Sequence, residues 1–300
     1  MTNSSSNNLR VGVYVDVANI TRSGGYGMQY DVLRDFACRG EATPVRLNAY
    51  VGYDVERAKD DLVYRDAQLS FHDALREQGY KVIVKTVKWY SDDRGNRIGK
   101  ANADLDLAVD ALLQSENMDR ILLATGDGDF VKVVNALQNR GCRVEVTAFE
   151  GVSSDLRREA DMFMSGYLIP GLLPTGGDRS VRWGEAGSRV RGTCYYFNPA
   201  KGFGFMRYMR CIGDGLWNVD PRKDGSPFEG AFFHISDLNG TLGPDDLPSR
   251  DLIFEFDLTS APRPASLTAG ESSLRATRIQ LIKANGKHLE PVTVPAATLN

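Results

Sequence analysis

The first half of the chain is built from nearly continuous apolar runs, each followed by a stretch of helical periodicity, and few folds satisfy that pattern. Residues 11–17, 45–51, 81–88, 120–124 and 143–147 are rich in Val, Ile, Leu, Tyr and Thr. Runs that are apolar on both faces suit strands covered on both sides of a sheet. Helical patterns lie between them at 31–38, 56–78, 103–115 and 130–139, with Gly79 and Gly141 placed as C-terminal caps. Repeated strand–helix units predict an α/β fold with a doubly wound parallel sheet of about five strands.

After residue 169 the pattern changes. PGLLPTGGDRS, residues 170–180, reads as a connector. From residue 189 onward short strands alternate with turn residues, at 190–197, 202–207, 230–235, 252–258 and 274–282. Their density predicts a small all-β barrel of the OB type, with a long Gly-, Pro- and Asp-rich insertion at 208–229. The expected organisation is an α/β domain over 9–168, a linker over 169–188, a barrel over 189–284 and a tail over 285–300. No internal repeat is visible.

Composition narrows the function. With 42% hydrophobic and 25% charged residues, the chain has the make-up of an ordinary globular protein. The formal net charge is −3, so any affinity for nucleic acid has to come from local patches. Cys38, Cys142, Cys194 and Cys211 form no CxxC pair, and His72, His234 and His288 lack zinc-site spacing. A zinc site and a disulfide framework are therefore not expected. The polar N-terminus lacks a signal-peptide core and no run is long enough to span a bilayer, so a reduced, cytoplasmic protein is expected.

Two of the apolar runs end on aspartate. VGVYVD closes at Asp16, RILLATGDGD carries Asp127 and Asp129, and Asp104 opens the helical stretch ADLDLAVDALL. In open α/β sheets ligands sit at the carboxyl edge, and carboxylates gathered there are costly without a cation. Hard divalent ions prefer oxygen, so the pattern points to a Mg²⁺ or Mn²⁺ site for phosphodiester chemistry, with two ions about 3.5–4 Å apart. Asp127, Asp129 and Asp104 also suit helix caps, whereas Asp16 precedes no obvious helix start. Asn19 is read either as a phosphate or Asp16 partner or as a turn residue. On a helical wheel Leu105, Ala108, Val109 and Leu112 form the expected core face, with Asp106 and Asp110 solvated. Lys100, with Arg94 and Arg97 in the same loop, is placed to contact substrate phosphates. An aspartyl-nucleophile phosphatase fits less well, because Ala18 stands where such an enzyme would want a second carboxylate.

VDVANI, KANADLDLAVDAL and LATGDGDFVKVVNALQNRGCRVEV resemble, in order and spacing, the NYN domains of the PIN-like nuclease superfamily, especially the LabA-like branch. The resemblance spans residues 9–168. It implies a PIN-like fold and metal-dependent RNA cleavage, with Asp16, Asp104 and Asp127 as metal ligands. Asp129 would be an additional acidic ligand, supported by Asn19 and Thr125.

Downstream, Phe203 and Phe205 alternate with glycine in KGFGF, and Phe232 and His234 alternate in AFFHI, so each pair projects from one strand face. Tyr196 is placed to join them, with glycines leaving room for bases and Lys201, Arg191, Arg207 and Arg210 at the rim. The alternative is that these rings are the barrel's core face. GTCYYFNPAKGFGFM is similar to the opening of a cold-shock domain, and FFHI approximates its second motif, over residues 189–284. Tyr196 stands where an exposed tryptophan is usual, and Ile235 replaces an aromatic. The resemblance implies a stacking surface of Tyr196, Phe203, Phe205, Phe232 and His234. The whole chain then reads as an endoribonuclease using Mg²⁺ or Mn²⁺, with a barrel that grips single-stranded RNA or DNA and no membrane partner. The alternative is a non-catalytic RNA-binding regulatory protein.

Overall fold

A computed structural model describes residues 8–91, 97–101, 103–178, 180–239, 242, 244–260 and 274–284. The expected tail at 285–300, and Arg94, lie outside the described residues. The chain forms two compact units: Met1–Pro174 with Cys211–Leu216, and Thr175–Arg210 with Trp217–Asn300.

The first unit contains strands β1 (Arg10–Asp16), β2 (Thr43–Tyr53), β3 (Lys81–Thr86), β4 (Lys88–Ser91), β5 (Arg97–Lys100), β6 (Arg120–Ala124), β7 (Arg143–Ala148) and β8 (Met162–Ser165). Its helices are α1 (Val17–Ile20), α2 (Tyr30–Ala37), α3 (Val55–Asp60), α4 (Leu62–Glu77), α5 (Asp104–Gln114), α6 (Val131–Asn139) and α7 (Ser154–Glu159). Six strands make one parallel sheet in the order β3-β2-β1-β6-β7-β8. Every residue of β6 and all but the first of β1 are buried, Arg120 and Asp16 included, as suits strands that are mostly apolar on both faces. The α/β expectation holds, with one strand more than the pattern indicated. Residues 162–165, MFMS, are too few to show a period.

Three other departures have local causes. The helix expected over 56–78 is two helices, because the Asp61 carboxylate accepts the Tyr64 N–H at 2.8 Å and caps a new start. The strand expected over 81–88 stops at Thr86, and Lys88 begins a separate two-stranded antiparallel ribbon, β4–β5. The third concerns the rotation of α5. Leu107 and Ala111 are buried, whereas Leu105 and Leu113 are 68% and 69% exposed and Val109 also faces outward. The inward flank is polar: the Tyr50 hydroxyl donates to Asp110 at 2.8 Å, Tyr14 donates to Gln114 at 3.2 Å, and Asp106 pairs with Lys85. Asp110 is therefore a buried-side hydrogen-bond partner and Asp106 an ion-pair partner. This rotation turns Asp104, on the same side as Leu107 and Ala111, toward the sheet.

The second unit contains β9 (Arg189–Asn198), β10 (Phe203–Met209), β11 (Phe228–His234), β12 (Leu238–Asn239), β13 (Ser249–Ser260) and β14 (Leu274–Ala284). Strands β11, β10, β9, β13 and β14 are hydrogen-bonded in that order, and β11 also pairs with β14, so the mostly antiparallel ring nearly closes. Its core includes Cys194, Met206, Phe233, Phe254, Phe256 and Ile279. Gly204 belongs to this interior. A Cβ there would stand 2.4 Å from the Tyr196 carbonyl oxygen and 2.6 Å from the Phe233 ring. The glycine makes room for the core, not for bases on the outer face. Gly204→Ala is expected to destabilise the barrel by about 1–3 kcal/mol, read from a lower urea midpoint at unchanged slope.

Candidate metal centre and aromatic face

Strand β1 delivers Asp16 to the carboxyl edge of the sheet. Its parallel neighbour β6 is in register with Val15 opposite Ala124, so Asp16 ends level with Thr125, and Asp127 follows on the next turn. The two ends are tied together by Asn19, whose side-chain oxygen accepts the Gly126 N–H at 2.9 Å. Asp16 Oδ1 in turn accepts the Asn19 N–H at 2.9 Å and caps α1, a four-residue helix too short to be visible as a pattern. Asp16 thus does precede a helix, contrary to the sequence reading. Asp127 Oδ1 accepts the Asp129 N–H at 3.0 Å and opens a 3-10 turn. Both caps engage Oδ1 and leave Oδ2 for a ligand. Asp104 is the first residue of α5 and does not cap it; Ala103 holds that position.

Asp16 is only 5% exposed. Burial raises its carboxyl above the ordinary range, the Asn19 N–H opposes that rise, and the negative charges of Asp104 and Asp127 add to it. Asp104, at the start of α5, and Asp127, after β6, both therefore act on Asp16 at the carboxyl edge. Asp129 is exposed and contributes its backbone N–H. Thr125 is fully buried and its hydroxyl accepts the Asp127 N–H at 3.3 Å. Asn19→Ala removes the tie to Gly126 and leaves a buried N–H unpaired. We expect it to cost about 1–3 kcal/mol of stability, measured by chemical unfolding.

Among the described residues, no three His, Cys, Asp or Glu side chains are close enough to hold an ion on their own. The donor set nevertheless suits magnesium or manganese. It is all oxygen, and these ions are commonly held by one or two carboxylates together with waters and substrate phosphates. Lys100 lies on β5, with its side chain outside the described residues.

In the barrel, β10 alternates between two environments. Met206 and Gly204 point into the core, while Phe203 and Phe205 are half-exposed on the opposite face. On β11, Phe232 and His234 share that outer face and Phe233 faces inward. The ring centroids of Phe203, Phe205, Phe232 and Tyr196 form a continuous cluster with spacings of 5.9–6.4 Å. These rings therefore lie outside the core. Tyr195 was missed as a member: a β-bulge pairs Phe205 with Tyr196 and Met206 with Cys194, leaving Tyr195 as the extra residue, 6.3 Å from Phe205. The adjacent YY in the sequence was the available signal. His234 carries a structural duty as well, since its Nδ1 accepts the Ser236 N–H and caps the following turn. Lys201 is exposed. Arg191 is not a rim cation, because it is buried in an ion pair with Glu255 at 2.8 Å.

The family model described as the NYN domain matches residues 10–170. "Low amplitude and bright protein LabA" from Synechococcus elongatus is 30% identical over 162 residues, covering 52% of this chain and 82% of that protein. The crystal structure of a protein of unknown function from Vibrio parahaemolyticus covers 55% of this chain and 96% of its own, at 25% identity and a TM-score of 0.44. No helix among the described residues is long and apolar enough to cross a membrane.

Proposed function

This chain belongs to the NYN domain family, a PIN-like family of nucleases, and on that premise we propose that it is a Mg²⁺- or Mn²⁺-dependent endoribonuclease acting on single-stranded RNA. The observation that carries this reading is the parallel register of β1 and β6, which brings Asp16 level with Thr125 at the carboxyl edge just before Asp127, with Asn19 bonded to both strand ends. Asp16, Asp104 and Asp127 would hold the ion, with Asp129 beside them. When bound, the ion supplies an activated water and charge stabilisation for an in-line displacement at phosphorus. Asn19 and Thr125 keep the ends of β1 and β6 fixed, so the carboxylates meet substrate in a preset arrangement.

The second unit is read as a cold-shock-like barrel. Tyr196, Phe203, Phe205 and Phe232 would stack bases, with His234 and Lys201 alongside. Tethering such a module to the cutting unit raises the local concentration of RNA. Incubation of the purified chain with a circular single-stranded RNA, with Mn²⁺ or with excess chelator, tests the reading. Linear products that form only with metal support it. Retention of intact circles under both conditions would instead favour the non-catalytic RNA-binding regulator.

A further inference from the structure

The β4–β5 ribbon has features that neither the carboxylate edge nor the sheet requires. Its register sets Lys88 directly opposite Lys100. The 88–100 segment carries Lys88, Arg94, Arg97 and Lys100 against Asp92 and Asp93, in a chain whose net charge is −3, while Lys85 is already paired with Asp106. Tyr90 shares the strand face of Lys88 and is 57% exposed, so a large ring stands in solvent beside an exposed cation.

The ribbon is also firmly mounted. The indole N–H of Trp89, on the opposite face, donates to Asp54 Oδ2 at 3.2 Å, and Asp54 is itself buried as the cap of α3. The Val87 N–H continues onto the Tyr53 carbonyl at 2.9 Å, and a Cβ on Gly52 would stand 3.0 Å from the Ala101 methyl. Strands β2 and β3 run past the level of Asp16, which pairs with Tyr50, to Tyr53 and Thr86. The ribbon therefore rises from a rim about 10 Å beyond the carboxylates along the strand direction. Three residues separate Lys100 from Asp104 in the sequence.

We propose that the β4–β5 ribbon is a guide for single-stranded RNA, with Lys88 holding backbone phosphate and Tyr90 stacking a base. Phosphate pairs with the exposed Lys88 cation, and the ring adds affinity that is indifferent to sequence. The proposal rests on the ribonuclease reading above. Its test is steady-state cleavage of single-stranded RNA by the full chain, compared with Tyr90→Ala, Tyr90→Phe and Lys88→Gln at several salt concentrations. Tyr90→Ala should raise KM about tenfold, the scale of one base stack, and Tyr90→Phe should restore it. Lys88→Gln should make log KM less dependent on log salt by about 0.7, one phosphate contact. Wild-type KM and salt slope in both Tyr90→Ala and Lys88→Gln, on an RNA that the parent cuts, would overturn the guide and leave the ribonuclease standing. A parent chain that neither binds nor cuts RNA would remove both.

Discussion

Asparagine at position 16 is expected to reduce RNA cleavage by at least about a thousandfold and to leave the fold intact. An ion's stabilisation of developing charge is worth several kcal/mol, and Asp16 is the most buried of the three carboxylates that would hold it. Asparagine still accepts the Asn19 N–H, so the cap on α1 survives. Stability provides a second signature. Burial, Asp104 and Asp127 raise the Asp16 carboxyl, so as pH climbs the unfolded chain gives up that proton before the folded one does. The group's contribution is complete below the ordinary aspartate range and is lost as pH rises through the folded value. Metal-free Asp16→Asn should therefore melt above the parent at neutral pH. The two melting curves should converge on acidification. Mn²⁺ should raise the parent's Tm and leave the variant's in place. A variant that cuts like the parent would remove Asp16 from the chemistry.

Replacing Phe203 and Phe205 together with alanine should weaken binding of single-stranded RNA about a hundredfold, since each base–aromatic stack contributes roughly 1–3 kcal/mol. Both rings lie on the outer face, and their loss leaves Met206, Phe233 and Phe254 packed. Fluorescence anisotropy with a labelled oligonucleotide measures the affinity, and circular dichroism checks the fold. Phe233→Ala provides the contrast. That ring is fully buried and stacked on Phe197 at 5.9 Å, so its removal should cost about 3–5 kcal/mol and compromise the barrel itself. Unchanged affinity in a folded double variant would leave the aromatic cluster without a part in RNA binding.

The sheet was legible because its central strands are buried on both faces and mostly apolar; Val13, Val15, Leu122 and Leu123 are fully buried. The short elements were not. Helix α1 has four residues and β8 another four, less than either needs to display a period. Helix α5 misled for a different reason. Its apolar stripe, Leu105, Val109 and Leu113, faces outward, because Tyr50 and Tyr14 hold the polar flank at Asp110 and Gln114 against the sheet. Those partners come from distant strands and no local pattern announces them. The same limit applies to Asn19, whose bond to Gly126 exists only because β1 and β6 are neighbours. The alternation of Phe203 and Phe205 showed that the rings share a face. It did not show which face, because Met206 and Gly204 alternate just as regularly on the other side.

Anomalous scattering from a crystal soaked in Mn²⁺ tests the central claim most directly. Density for manganese within inner-shell distance of Asp16, and bounded by Asp104 and Asp127, is the predicted result. A fully soaked crystal with no manganese at that edge, while these three side chains remain ordered, would contradict it.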